Sequence, residues 1–245
     1  MADRVSVLLP TKGRYKALSD SITSLSNTTY AKELIDLIVV TDDDSESVRI
    51  VHGLFAHIGH MFHNVMLIES EERLYPIKAF NKALDHINTD YFCWMNDENS
   101  YEPNWLVRNL EQFKIYFPDK IGLMSLYKKK KAGLGLTTKQ FVDYNYGEWF
   151  PECYKLYYAD DELTARAILL GRYAWSEQSG VFHDEVITKA VSAISWEDKI
   201  KMKKIDRGIF YQRSETNFGL VDDEIYPWEG FMPINFPLKR RIDEL

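Results

Sequence analysis

Four short apolar runs, alternating with segments whose apolar residues recur at helical spacing, constrain the fold of this chain more than any other feature. The runs are Val5 to Pro10 (VSVLLP), Ile35 to Val40, Val65 to Ile68 and Tyr91 to Met95 (YFCWM). An apolar run without strict polar alternation reads as a strand buried on both faces. After the first run Leu18, Ile22 and Leu25 share one helical face. After the third, Ile77, Phe80, Leu84 and Ile87 do so, and after the fourth, Leu106, Leu110, Phe113 and Phe117. Strands alternating with helices of this length require right-handed crossovers, which predicts an α/β fold with a mainly parallel sheet.

In an open α/β sheet, ligands collect at the carboxyl ends of the strands. The residues that follow each run are therefore the candidate site. Thr11-Lys12-Gly13-Arg14 follows the first run, and Thr41-Asp42-Asp43-Asp44-Ser45 the second. The fourth meets Asn96-Asp97-Glu98-Asn99 before Pro103 opens a new helical segment. Two carboxylates and two amides there suit a hard divalent cation and the phosphates it bridges. The competing reading is a polar loop in which Asn and Asp make turns. The Asp42 to Ser45 cluster likewise reads either as ligand contacts or as a helix cap. No GxGxxG and no GxxxxGK[ST] occurs, so neither a dinucleotide fingerprint nor a P-loop is present.

The second half is less regular. Ile121 to Tyr127 is a predicted strand, and Lys128 to Lys131 with Gly133 and Gly135 form a basic loop. A lysine run reads first as a solvated surface, with a phosphate-covering lid as the alternative. Aromatic residues crowd positions 141 to 158; most are expected in packing, and some could face a ring-shaped polar ligand such as a sugar. In YYADDELTARAILLG, Leu163, Ala167 and Leu170 form a helical stripe ended by Gly171, with Asp160, Asp161 and Glu162 in its first turn. The helix dipole alone explains carboxylates at that end. Three in succession also repel one another and acquire raised pKa values, which suits a general base. His183, read alone, is a structural histidine. Residues 187 to 205 are predicted helical, 206 to 219 a closing helix or loop, and the tail with Pro227, Pro233 and Pro237 irregular.

A chain of 245 residues can bury the core of one domain, and its net charge of −7 argues against nucleic acid as a partner. Cys93 and Cys153 form no CxxC or Cys/His array, which predicts two buried free thiols in a reducing compartment. No secretory signal is evident, and no apolar stretch is long enough to span a bilayer. A cytoplasmic protein is expected, with Lys239-Arg240-Arg241 as a point of peripheral membrane contact.

Taken in order, VSVLLPTKGR, LIVVTDDDS, AFNKAL, YFCWMNDENSYEPNWL, YYADDELTARAILLG and VFH resemble the successive landmarks of the family-2-type glycosyltransferases of the GT-A fold, across residues 5 to 185. The resemblance implies a single domain. Its Rossmann-like nucleotide-sugar half (1–100) would merge with an acceptor and catalytic half (101–187), followed by a C-terminal tail (188–245). It implies transfer of a sugar from a nucleoside diphosphate sugar of the UDP, GDP or dTDP type, with inversion and with Mn²⁺ or Mg²⁺. The acceptor would be a carbohydrate, lipid-linked or protein hydroxyl.

Laid onto this sequence, the resemblance puts Pro10, Thr11, Arg14, Asp42 and Asp43 at the nucleoside, with Asp43 at the base, and Lys78 and Asn81 facing the donor. The family's DxD motif falls on Asn96-Asp97-Glu98, with asparagine in place of the first aspartate and glutamate in place of the last. Asn96 and Asp97 would contact the donor, and Glu98 or Asp97 would bind the metal, with His183 completing its site. The Glu-Asp-x-Asp-Leu motif falls on Ala159 to Leu163, with its leading glutamate lost. That puts Asp160 at the general base, Asp161 as the competing assignment, and Glu162 with Trp149 on the acceptor side. Two other classes stay open: a nucleotidyltransferase-like enzyme, and a catalytically silent relative that only binds.

Overall fold

The computed structural model describes residues 3–127, 131–183 and 194–221. Its centre is β1 (Val5–Thr11). Val5, Val7 and Leu9 pack into one hydrophobic cluster and Leu8 into another, all fully buried. Successive side chains of a strand point to opposite faces, so a strand covered on both sides has no polar face to show. The apolar run in the sequence has this origin.

β2 (Ile35–Thr41), β3 (Asn64–Ile68) and β4 (Tyr91–Trp94) join β1 in parallel, with Leu8 opposite both Ile38 and Trp94. β5 (Asn99–Tyr101) leaves this sheet. β6 (Leu123–Ser125), β7 (Gly135–Thr137) and β8 (Tyr173–Trp175) extend it to seven strands in the order β3-β2-β1-β4-β7-β6-β8. β7 is antiparallel to both of its neighbours, and β8 is parallel to β6. β9 (Val181–His183) pairs with β5 in a separate antiparallel ribbon that sets His183 opposite Asn99.

One face of the large sheet is covered by α1 (Tyr15–Ser26), α2 (Ser45–Ile58) and α4 (Trp105–Tyr116). The other is covered by α3 (Tyr75–Leu84), α5 (Lys139–Tyr144), α6 (Ala159–Leu169) and α7 (Trp196–Ser214). Local chemistry sets several of the helix ends. Asp44 caps α2 by accepting the Ser47 N–H. Pro76 occupies the first turn of α3, where a missing N–H costs nothing. Gly171, at φ +66°, ends α6 in the left-handed conformation that glycine adopts without strain. No described helix is long and apolar enough to cross a membrane.

The structure departs from the sequence reading at several points. The strand predicted over 121–127 is only three residues long, and Gly135, expected in a loop, lies in a strand. Gly135 faces Trp94, and a Cβ at Gly135 would lie 2.3 Å from the Trp94 ring. A residue without a side chain is therefore the strand former at this position. Of the helix predicted over 187–205, residues 187–193 lie outside the described residues, and the remainder continues past 205 as α7, whose Asp206 points inward. Its carboxylate accepts the N–H groups of Lys155 at 3.1 Å and of Leu156 and Tyr157 at 2.9 Å. Cys93 is buried as expected, whereas Cys153 is exposed. The proline-rich tail and Lys239-Arg240-Arg241 lie outside the described residues.

Gly135→Ala is expected to destabilise the fold by about 1–3 kcal/mol through overpacking against Trp94. Urea denaturation followed by tryptophan fluorescence measures this, and a midpoint equal to wild type would refute the close approach.

Candidate active site

Three strand ends converge on one cleft. The end of β1 and the turn after it supply Pro10, Thr11 and Arg14; the loop after β2 supplies Asp42; the loop after β4 supplies Asn96 and Glu98. With His183 they line a pocket of about 360 Å³. A second pocket of about 280 Å³ is lined by Asp160, Lys131, Phe80 and Phe150. The two share Pro76, Asn96, Leu156 and His183, so they form one continuous cleft.

Charge is tightly organised where the pockets meet. Asp97 is fully buried; its carboxylate accepts the Thr11 hydroxyl at 2.8 Å and pairs with Arg14 Nη2 at 2.5 Å. The other arm of the Arg14 guanidinium pairs with Glu98 Oε2. Burial pushes the Asp97 carboxyl well above the usual carboxylate range and the hydrogen bond with Glu98 adds to this, while Arg14 and Thr11 oppose it. The second oxygen of Glu98, Oε1, lies 3.4 Å from His183 Nδ1. The β5–β9 ribbon makes this approach possible, since it brings a residue late in the chain alongside the β4 loop.

At the other side of the first pocket, Asp42 accepts the backbone N–H groups of Leu74 at 2.5 Å and Tyr75 at 3.2 Å, and pairs with Arg73 at 3.1 Å. Arg73 in turn lies over the Tyr75 ring, 4.7 Å from its centroid. Lys12 Nζ donates to the carbonyls of Asp42 and Asp43 at 2.7 and 2.6 Å. Asp43, Tyr75 and Tyr158 all have positive φ, at +51°, +60° and +67°. Such conformations cost roughly 1–3 kcal/mol each for side chains that do not favour them and concentrate at functional sites.

In the second pocket, Lys131 Nζ lies 3.2 Å from Asp160 Oδ2 and 3.2 Å from Asp161 Oδ1. Asp160 faces the cleft, whereas the Asp161 side chain is only 5% exposed. Burial raises the Asp161 carboxyl to about 7, and the neighbouring Asp160 adds to this against the opposing pull of Lys131. Lys131, read from the sequence as part of a solvated run, is instead an ion-paired wall of the cleft; residues 128–130 lie outside the described set.

Several expected site residues lie elsewhere. Trp149, 2% exposed, packs edge-on against Phe92 at 5.1 Å and Trp94 at 5.5 Å, which removes it from the acceptor side. Glu162 is fully buried, accepting Tyr154 Oη at 2.6 Å and Arg213 at 2.6 and 2.8 Å, so it ties α6 to α7 rather than meeting an acceptor. Lys78 and Asn81 line a separate groove, and Asn81 donates to the Phe150 carbonyl at 2.8 Å. The reason is helical phase: Pro76, Ala79 and Phe80 occupy the cleft side of α3, which turns Lys78 and Asn81 away from it. Asp97 stands behind Arg14 instead of lining the cleft, so it is not placed as a metal ligand. Asp43, with its side chain 56% exposed, sits outside the pocket lining. The sequence reading missed Arg73, Tyr75, Leu156 and Tyr157 as cleft residues. Arg73 and Tyr75 at the entry to α3, and Leu156 and Tyr157 just ahead of α6, carry no pattern that announces such a role, although Pro76 marks the helix start beside the first pair.

The model of glycosyl transferase family 2 matches residues 6–161. The chain belongs to this family. Among solved structures, this family-2 chain resembles the mannosyltransferase PcManGT from Pyrobaculum calidifontis, determined with GDP-Man and Mn²⁺, at TM-score 0.61 and 17% identity, covering 73% of this chain and 56% of that one. It also resembles S. aureus TarS at TM-score 0.62 and 14% identity, covering 86% of this chain and 43% of TarS. TarS residues 1–349 with UDP-GlcNAc give TM-score 0.58 and 15% identity, covering 84% of this chain and 65% of that one. The chain thus spans roughly half the length of the first two. At these identities the likeness establishes the GT-A fold. No curated protein matches significantly.

Family members commonly use a divalent cation, and the donor set here can be tested against one. Among the described residues no group of three or more His, Cys, Asp or Glu side chains forms a metal cage. Glu98 Oε1 and His183 Nδ1, 3.4 Å apart, are spaced much as two adjacent ligands of an octahedral ion, which at bond lengths of 2.0–2.1 Å lie about 3 Å apart. Mg²⁺ is usually held by one or two protein ligands together with substrate phosphates. The residues present therefore fit such an ion, with Arg14 neutralising the other side of the carboxylate pair.

The raised Asp161 carboxyl has a pH signature. Its folded pKa of about 7 exceeds the ordinary 3.8, so the folded state binds the proton more tightly. The resulting stability is fully present below 3.8 and lost as pH rises through about 7. Asp161→Asn removes this titration, so its melting temperature should gain on wild type as pH rises from 4 to 7. Melts across that range test this, and parallel curves would refute it.

Proposed function

We propose that this family-2 glycosyltransferase moves a sugar from a nucleoside diphosphate donor to an acceptor hydroxyl in one inverting displacement, with Asp160 as general base. The observation that carries the reading is the shared cleft. Asp160 lines one end, Glu98, Arg14 and Thr11 the other, and His183 and Asn96 line both pockets. The nucleoside would lie along Pro10, Thr11 and Asp42, with Arg73 and Tyr75 flanking it and Asp43 at the rim as the contact to the base. The diphosphate would lie toward Asn96, Glu98 and His183. A UDP, GDP or dTDP sugar fits this reading, which draws support from the solved relatives determined with GDP-Man and with UDP-GlcNAc.

Asp160 accepts the proton of the acceptor hydroxyl as its oxygen bonds to the anomeric carbon. The bond from that carbon to the diphosphate oxygen breaks, and the electron pair leaves with the nucleoside diphosphate. A carboxylate placed to take a proton in the transition state contributes about 10²–10⁴ in rate. Glu98 and His183 would hold Mn²⁺ or Mg²⁺, which when bound neutralises charge on the diphosphate as a Lewis acid. Arg14 keeps Glu98 in place, and buried Asp97 keeps Arg14 in place. Phe80, Phe150, Ile77 and Leu156 supply apolar walls at the base end, which favour transfer over hydrolysis by limiting water. The acceptor, a carbohydrate, lipid-linked or protein hydroxyl, would approach beside Asp160.

Thermal melts with UDP, GDP and dTDP sugars, each with and without Mn²⁺, test the donor assignment. A ligand bound only by the folded state at 100 times its Kd adds about 2.7 kcal/mol of stability. One nucleotide should raise the melting temperature, and more so with Mn²⁺; no shift with any of them would overturn the reading. Asp160→Asn should lower transfer by about 10²–10⁴ and leave the nucleotide-induced shift intact. Full transfer by that variant would remove Asp160 from the role of base.

A further inference from the structure

Lys131 stands where a helix repels a cation. The first turn of α6 carries the positive end of the helix dipole, which already favours Asp160 and Asp161 and disfavours an ammonium beside them. Helix capping therefore gives no reason for a lysine at this place. Its Nζ nevertheless lies 3.2 Å from each of the two carboxylates.

The surrounding backbone holds it there. Ser125 Oγ donates to the Lys131 carbonyl at 2.7 Å, and Trp94 Nε1 donates to the Ala132 carbonyl at 3.0 Å. The Ala132 N–H donates to Thr164 Oγ1 at 2.9 Å, and that hydroxyl donates to the Asp160 carbonyl at 2.6 Å. The loop is thereby fastened both to the sheet and to the turn of α6 that carries Asp160. Gly133 closes in from the same loop, where a Cβ would lie 3.3 Å from Asp160 Oδ2. The Asp160 carboxylate is thus enclosed by Lys131 and Gly133, with the cleft in front of it.

We propose that Lys131 is a positioning residue for the base: it fixes the Asp160 carboxylate toward the cleft, and Asp161 anchors the lysine from behind. The inference rests on Asp160 being the base. An aspartate side chain at a helix start can rotate away from its substrate, and a misplacement of about 1 Å can cost 10²-fold in rate. Two adjacent carboxylates also favour a proton between them, and an ammonium bridging both offsets that repulsion. Asp161, withdrawn from the cleft, then serves to hold Lys131 rather than to accept the acceptor's proton.

Steady-state kinetics on Lys131→Met, Lys131→Arg, Asp161→Asn and the Lys131→Met/Asp161→Asn double variant test this. The assay uses the donor found in the melts. Lys131→Met should lower kcat by about 10- to 100-fold, with the nucleoside diphosphate Kd near wild type and the protein still folded at the assay temperature. Lys131→Arg should recover most of the rate, because it restores a cation that reaches both carboxylates. The double variant should be no slower than Lys131→Met alone, since residues acting as one unit do not add. A kcat within twofold of wild type in Lys131→Met overturns the proposal. So does a loss of rate that tracks a loss of melting temperature and is not rescued by arginine. Full activity in Asp160→Asn would instead overturn the assignment of the base; an inactive Asp160→Asn beside a fully active Lys131→Met overturns only the role of Lys131.

Discussion

The site is built around a carboxylate with no access to water. Asp97, in the loop just after β4, has zero exposure, and a buried acid without partners costs several kcal/mol. Thr11 and Arg14 supply those partners from the end of β1, so satisfying one buried group ties together the ends of two adjacent strands. Arg14 has a second arm, and that arm sets Glu98 with its remaining oxygen toward His183. Two cleft residues are thus oriented by one residue that never reaches the cleft. Removing one member of such a buried pair typically costs 3–5 kcal/mol, because the other is left uncompensated.

A second network does for α6 what Asp97 does for the strand ends. Glu162 is held by Arg213 and Tyr154, while Arg166 pairs with Glu148 and donates to Asn145 Oδ1 at 2.9 Å. Asp206, about two turns before Arg213 on the same helix, takes three successive backbone N–H groups of the segment just ahead of α6. That segment carries Leu156 and Tyr157 to the cleft and ends at Tyr158, held at positive φ. The long, charged α7 is therefore the support on which the helix of Asp160 is set. Asp206 and Arg213 reach inward, to the 155–157 segment and to Glu162; Lys201, Lys203 and Lys204 are exposed, and Lys199 borders the cleft.

Much of the site was legible because its residues follow strands whose apolar runs are unmistakable. Pro10, Thr11, Arg14, Asp42, Asn96 and Glu98 all line the cleft, as expected for residues at the carboxyl edge of a parallel sheet. Asp160, read as the first of three carboxylates at a helix start, lies in the cleft lining. Trp149, Glu162, Lys78 and Asn81 were not legible, since an aromatic or charged residue looks alike in sequence whether it faces a ligand or a buried partner. Lys131 illustrates the reverse error: a run of lysines reads as solvated, and only the position of α6 turns its last member inward.

By itself the sequence determined the alternation of strands and helices, the parallel half of the sheet and that the loops after β1, β2 and β4 border the cleft. These follow from the periodicity of apolar residues and from local caps such as Asp44, Pro76 and Gly171, each of which acts within a few residues of chain. Tertiary structure alone decided the antiparallel insertion of β7 against Trp94, the approach of His183 to Glu98, and the assignment of Asp97, Glu162 and Asp206 to the interior. Each of these depends on a partner dozens of residues away, such as Arg14 for Asp97 or Arg213 for Glu162. A carboxylate carries no local mark of whether its counter-charge will be a protein cation, a metal or water, so its role is set only when the chain closes around it.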